Sequence, residues 1–319
     1  MKFAQALVAG LALVTAAASA SAEYPDKPVR IINPFSVGGT GDTIQRLFAT
    51  KLSERTGKSF IVENKTGASG RIGYEAVAKS PADGYTLVAT DVTYTILPGL
   101  YGKLPWDPAA DLVPVTVLAR APFVFVVNPN ARFKTLEELI KYAKANPGKV
   151  NFGSAGAGSV NHLVMELFAK EAHISLTHIP YKGMGEALTG LMSNSVDIIA
   201  TGVPTAINHI KSGKLLALAL TAQKRWPATP DVPTLTERGV NVVSYSWMGL
   251  MAPKGTPKPV VDYLYGNVVK LIQDPSTKPL LDAQGVEPSG MAPAEFARLL
   301  RDDTKRWTEV VRAANITAN

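Results

Sequence analysis

The stretch that decides the fold is RIINPFSVGGTGDTIQRLFATKL, residues 30–52. A strand-like apolar run enters a glycine-rich loop and passes directly into helical spacing, with Ile44, Leu47, Phe48 and Leu52 on one face. Glycines ahead of a helix leave backbone N–H groups free to point at an anion. Gly38-Gly39-Thr40-Gly41-Asp42 has no lysine of the kind a nucleotide-hydrolase loop requires, and Asp42 would repel a polyphosphate. It is not a dinucleotide fingerprint either, because counting from Gly39 the sixth position is Ile44. The loop suits an anion without specifying a nucleotide.

Outward from this stretch the pattern repeats. Strand-like runs fall at 29–34, 59–63, 86–90, 123–128, 149–154, 176–181, 196–201 and 215–221. Helical spacing lies between them, as in Leu163, Val164, Leu167, Phe168 and in Ala187, Leu188, Leu191, Met192. Such alternation predicts an α/β fold with a mainly parallel sheet. The loop after 149–154, Gly156-Ala157-Gly158-Ser159, copies the first one, with Thr40 and Ser159 as candidate N-caps. A weaker third case is Thr66-Gly67-Ala68-Ser69-Gly70. Any one such loop is also explained by glycine's tolerance of positive φ. Two, one in each half of the chain, point to a site shared between two domains.

The chain begins with Met1-Lys2, a small-apolar run over 3–17 and Ala20-Ser21-Ala22, which predicts an export signal over residues 1–22 cleaved after Ala22. Its removal leaves 297 of the 319 residues and, with Lys2 gone, takes the formal charge from +7 to +6. That length suits two domains. The absence of cysteine excludes disulfides, thiolate metal sites and cysteine nucleophiles. An exported protein without disulfides relies on its core, and a hydrophobic content of 46% is enough to build one. Lysine and arginine are dispersed, which argues against nucleic acid as a partner.

Enzymatic readings find little support. The four histidines are His162, His173, His178 and His209, and no Gly-x-Ser-x-Gly elbow accompanies them. His162 and Glu166 share a helix face, yet no third metal ligand has recognisable spacing.

The segments EYPDKPVRIINPFSVGGTGD (23–42), FIVENKTGASGRIGYEAVAKSPADGYTL (60–87), LYGKLPWDP (100–108), HIPYKGMGEALTGLMSNSVDI (178–198), VPTAINHIKSGKLLALALT (203–221), DVPTLTERG (231–239) and GLMAPKGTPKPVV (249–261) resemble the Bug family. These are the periplasmic solute-binding proteins of tripartite tricarboxylate transporters. The resemblance covers essentially all of residues 23–316. It implies a two-lobed, type II periplasmic-binding (Venus flytrap) fold closing over a small mono-, di- or tricarboxylate. It further implies a periplasmic monomer without cofactor or metal that hands its ligand to integral membrane transporter subunits. A sensor docking on a membrane histidine kinase and a secreted hydrolase on a similar fold are the alternatives.

In the family the ligand carboxylate is held mainly by backbone N–H groups, hydroxyls and waters at the two glycine loops. The matching positions are Phe35, Ser36, Gly39, Thr40, Gly41 and Asp42 in the first loop and Ser154, Gly156, Gly158, Ser159 and His162 in the second, with Asp91, Thr93 and Thr201 at neighbouring strand ends. Three departures bear on the ligand. The first loop reads Gly-Gly-Thr-Gly-Asp where relatives often read Gly-Gly-x-Thr-Asp, Asp91 stands where small or polar residues are usual, and Thr201-Gly202 replaces a common Asp-Asn. Asp91 either faces the pocket or turns to solvent. The expected division is domain one over 23–122 and 246–319 and domain two over 123–245, with helices at 257–272 and 293–314 packing the first.

Overall fold

The computed structural model describes residues 24–35, 37 and 40–317. The export signal with its cleavage site, and the loop residues Ser36, Gly38 and Gly39, lie outside the described residues. The chain opens with β1 (Val29–Asn33), α1 (Thr40–Thr56), β2 (Phe60–Asn64), α2 (Arg71–Ala78), β3 (Thr86–Asp91) and α3 (Thr93–Tyr101). The 16-residue β4 (Leu112–Val127) leads into α4 (Leu136–Ala145), β5 (Asn151–Ser154), α5 (Val160–Glu171), β6 (Thr177–Pro180), α6 (Met184–Met192), β7 (Ile198–Gly202), α7 (Val203–Lys211) and β8 (Leu216–Leu220). Then follow β9 (Tyr245–Pro253), α8 (Lys258–Gln273), α9 (Lys278–Ala283), β10 (Glu287–Met291) and α10 (Pro293–Ala313).

The strands run in the order β2-β1-β3-β9-β4-β7-β5-β6, with β8 and β10 also pairing with β4. Parallel pairing is confined to β1 with β2 and β3, and to β5 with β6 and β7. Every pairing of β4, and that of β3 with β9, is antiparallel. The sheet is therefore mixed, not mainly parallel as the alternation predicts. The reason is that the chain crosses between the lobes twice, on β4 and on β9, and the two crossings run in opposite directions.

β4 is shared by both lobes. From Leu112 to Pro122 it pairs with β9, and from Phe123 to Val126 with β7. Its residues are buried almost without interruption, as befits a central strand covered on both faces. Thr221 pins the crossing. Its hydroxyl accepts from the N–H of Phe123 at 2.9 Å and donates to the carbonyl of Ser244 at 2.6 Å, just ahead of β9.

The first lobe is closed by the two C-terminal helices that the spacing predicts. α8 buries Leu264, Val268 and Leu271, and α10 buries Phe296, Trp307, Val310 and Val311. α10 lies along α3 and β4 and also reaches α5 of the second lobe. Inside it, Asp303 accepts from Trp247 Nε1 at 2.9 Å and pairs with Arg306 at 2.8 Å, so this buried carboxylate ties α10 to β9.

Candidate functional site

The residues flanking the first glycine loop are tied to one another. Asp42, in the first turn of α1 and 2% exposed, receives the side-chain amides of Asn33 at 2.8 Å and Asn64 at 2.9 Å on Oδ1, and Arg46 Nε at 2.9 Å on Oδ2. Asn64 also donates to the carbonyl of Phe35, and Asn33 Oδ1 accepts from the Phe35 N–H. A carboxylate in the first turn is favoured by the positive helix end. Here it joins β1, β2 and α1 and is not among the residues that line the cleft. Helix α1 begins at Thr40 itself, so Thr40 and Gly41 present the first turn of the helix to the cleft.

The second loop spends its glycine donors internally. Gly156 N–H donates to Ser154 Oγ at 3.1 Å, and Gly158 N–H to His162 Nδ1 at 3.1 Å. Because Nδ1 accepts, the neutral His162 ring carries its proton on Nε2, which faces Glu166 Oε1 at 3.4 Å. Ser159 caps α5, its hydroxyl accepting from His162 N–H at 3.3 Å. The groups from this segment that line the cleft are Val160 and Asn161. They are the first two residues of α5, where backbone N–H groups have no intrahelical acceptor. Gly158 has φ +73°, and a Cβ there would stand 2.8 Å from Leu100 of α3, so the two lobes touch at this loop.

Between the lobes lies a cleft of about 150 Å³. Thr40 and Gly41 come from α1, Val160 and Asn161 from α5, and Gly202, Pro204 and Thr205 from the start of α7. Three helix N-termini thus converge on it. Thr201 and Asp91 close the polar wall, and Ala121, Phe123, Met184, Ser246 and Met248 supply the rest. Among the described residues lining the cleft there is no lysine or arginine. Anion binding must then come from helix ends, which contribute about 0.3–2 kcal/mol each without desolvating a second full charge.

Asp91 is the acidic member of that lining. It ends β3 and accepts the Thr93 N–H on Oδ1 at 2.8 Å. Burial pushes its carboxyl up to about 6, against the pull of the Thr93 hydroxyl and N–H.

Of the residues singled out in the sequence, Thr40, Gly41, Asp91 and Thr201 line the cleft. Phe35, Asp42, Thr93, Ser154, Gly156, Gly158, Ser159 and His162 are not among the residues that line it, while Ser36 and Gly39 lie outside the described residues. Sequence reasoning missed Asn161, Thr205, Phe123 and Ser246. A signal existed for Asn161, two residues past the Ser159 cap, but not for the strand residues that only the crossing brings in.

One arrangement resembles a nucleophile and base. Ser154 Oγ lies 2.7 Å from His178 Nε2, and His178 stacks on His162 with ring centroids 3.6 Å apart. Ser154 is fully buried, its hydroxyl also meets both backbone groups of Gly156, and it does not line the cleft. Burial, and then the neighbouring His162, push His178 down to about 4. The stack is a support for the second loop. No group of three His, Cys, Asp or Glu that could hold a metal ion occurs among the described residues.

Two α/β lobes, a double crossing and a cleft ringed by helix N-termini define a solute-binding protein of the periplasmic type. Residues 44–316 match the model of the tripartite tricarboxylate transporter family receptor, and the chain belongs to that family. Protein BugT of Bordetella pertussis is 36% identical over 311 residues, covering 96% of this chain and 95% of its own. Among solved structures, R. palustris Rpa4515 with adipate superposes with a TM-score of 0.84 at 34% identity, covering 93% of this chain and all of that one. MatC from Rhodopseudomonas palustris, with bound malate, gives 0.79 at 30% identity over 90% of this chain and all of its own.

Proposed function

We propose that this protein is an exported, non-enzymatic receptor that captures a small organic carboxylate between its lobes and delivers it to an integral membrane transporter. The observation that carries this reading is the convergence of three helix N-termini on a cleft without a basic side chain among its described residues. One ligand carboxylate sits against the first turns of α1 and α5, held by backbone N–H groups and the hydroxyls of Thr40 and Thr201. The adipate and malate bound to the two Rhodopseudomonas proteins support a carboxylate as the ligand. Export to the periplasm is supported by the charged, apolar, Ala-Ser-Ala start of the chain.

Residues 23–122 with 246–319 form the first domain and 123–245 the second. The change of β4's partners between Pro122 and Phe123, and the return of β9 at Tyr245, support that division. The protein acts as a monomer. Isothermal titration of refolded, ligand-free protein with a panel of mono-, di- and tricarboxylates tests the function. At a hundredfold excess over the dissociation constant, the bound acid should stabilise the fold by about 2.7 kcal/mol, seen as a raised melting temperature. Absence of binding by every acid of the panel would overturn the reading.

A further inference from the structure

Asp91 sets a condition on the ligand. The residue lines a cleft whose polar walls are otherwise helix ends, amides and hydroxyls, and its Oδ1 accepts the Thr93 N–H. Around it stand Met248, its partner across the β3–β9 ladder, and Tyr74, whose hydroxyl lies beside Thr90 at 3.5 Å. None of these is a cation, and among the described residues no lysine or arginine forms an ion pair with Asp91. A simple dicarboxylate would bring two more negative charges beside it. Like charges in one cleft destabilise one another.

We infer that the ligand this cleft is built for carries an ammonium group as well as a carboxylate, with the ammonium against Asp91 and the carboxylate against the helix N-termini. This rests on the carboxylate-receptor reading above and narrows it to amino acids and ω-amino acids. A hydroxyl would give Asp91 one hydrogen bond but leave its charge uncompensated. An ammonium supplies both donor and charge, and charge-assisted bonds of this kind are the stronger ones.

The experiment is calorimetric titration of wild type and Asp91→Asn with matched acids: 4-aminobutyrate, 5-aminovalerate, aspartate and glutamate on one side, butyrate, valerate, succinate and glutarate on the other. Wild type should bind at least one amino acid tenfold or more tightly than its counterpart without the ammonium. Asp91→Asn should lose at least tenfold for that amino acid and gain affinity for the dicarboxylate. The wild-type comparison stands whether or not the variant folds. Tight binding of succinate or glutarate by wild type, with no response to any amino acid, would overturn the ammonium assignment and leave the carboxylate receptor standing. Equal affinity of both proteins for the best amino acid would also overturn it. Silence towards every acid would remove the receptor reading itself.

Discussion

Asp91 and His178 couple the fold to pH in opposite senses. Burial raises Asp91 from its ordinary 3.8 to about 6, so the folded chain keeps a proton there that the unfolded chain has already released. The stability this represents is fully present below the unfolded value and is lost as pH rises through about 6. His178 is lowered from 6.5 to about 4, so its contribution is complete above 6.5 and is lost as pH falls through about 4. A comparison of wild type with Asp91→Asn cancels His178, which both share. The asparagine variant should match wild type in melting temperature near about pH 4 and exceed it near about pH 8, the gap opening between. Melts of ligand-free protein over that range check this. A gap of constant size would show that the charge on Asp91 is not its source.

At the scale of elements, the hydroxyl of Thr221 joins the strand leaving the first lobe to the one returning. Replacing it by valine keeps the shape but strands the Phe123 N–H and the Ser244 carbonyl in a buried place. An unmet buried polar group costs about 1–3 kcal/mol, so Thr221→Val should lower unfolding stability by at least that in urea titration. A loss under about 0.5 kcal/mol would mean that the crossing is held by its strand ladders alone. The glycine loops show how far a site can be read from sequence. Their position at strand–helix turns was legible, because glycine spacing and the Ser159 cap are local signals. The destination of their donors was not. Gly156 and Gly158 turn inward to Ser154 and His162, a choice fixed by His162 lying one helical turn past Gly158 and by His178 stacking on it from another strand. Asp42 likewise reads as a ligand contact until Asn33 and Asn64 are brought against it by the pairing of β1 with β2.

Over the whole molecule, seven of the eight strand-like runs fall on strands of their own, and the run at 123–128 is the second half of β4. Elements that escaped notice carry signals that contradict their state. The first half of β4 contains Pro114, and α3 contains Pro98 and Gly99, the latter lying 3.0 Å from the Thr308 backbone of α10 when given a Cβ. Tertiary packing overrides those residues' preferences. The lobes also differ in how far apart in the chain their partners lie. β5, β6 and β7 pair with near neighbours, whereas β9 must insert between β3 and β4. Non-local pairing forms slowly, so pulse-labelled hydrogen exchange during refolding should protect Phe152 and Ile199 amides before those of Val88 and Thr90, which face β9. Simultaneous protection would contradict this ordering. The same insertion has a consequence during biosynthesis. A chain that appears from its N-terminus holds β1, β2 and β3 long before Met248 to Met251 exist to cover the flank of β3. For that interval a ready-made template for foreign strands is open to the surroundings. Newly made chains are therefore most prone to aggregate, or to need a holding chaperone, until synthesis has passed residue 253.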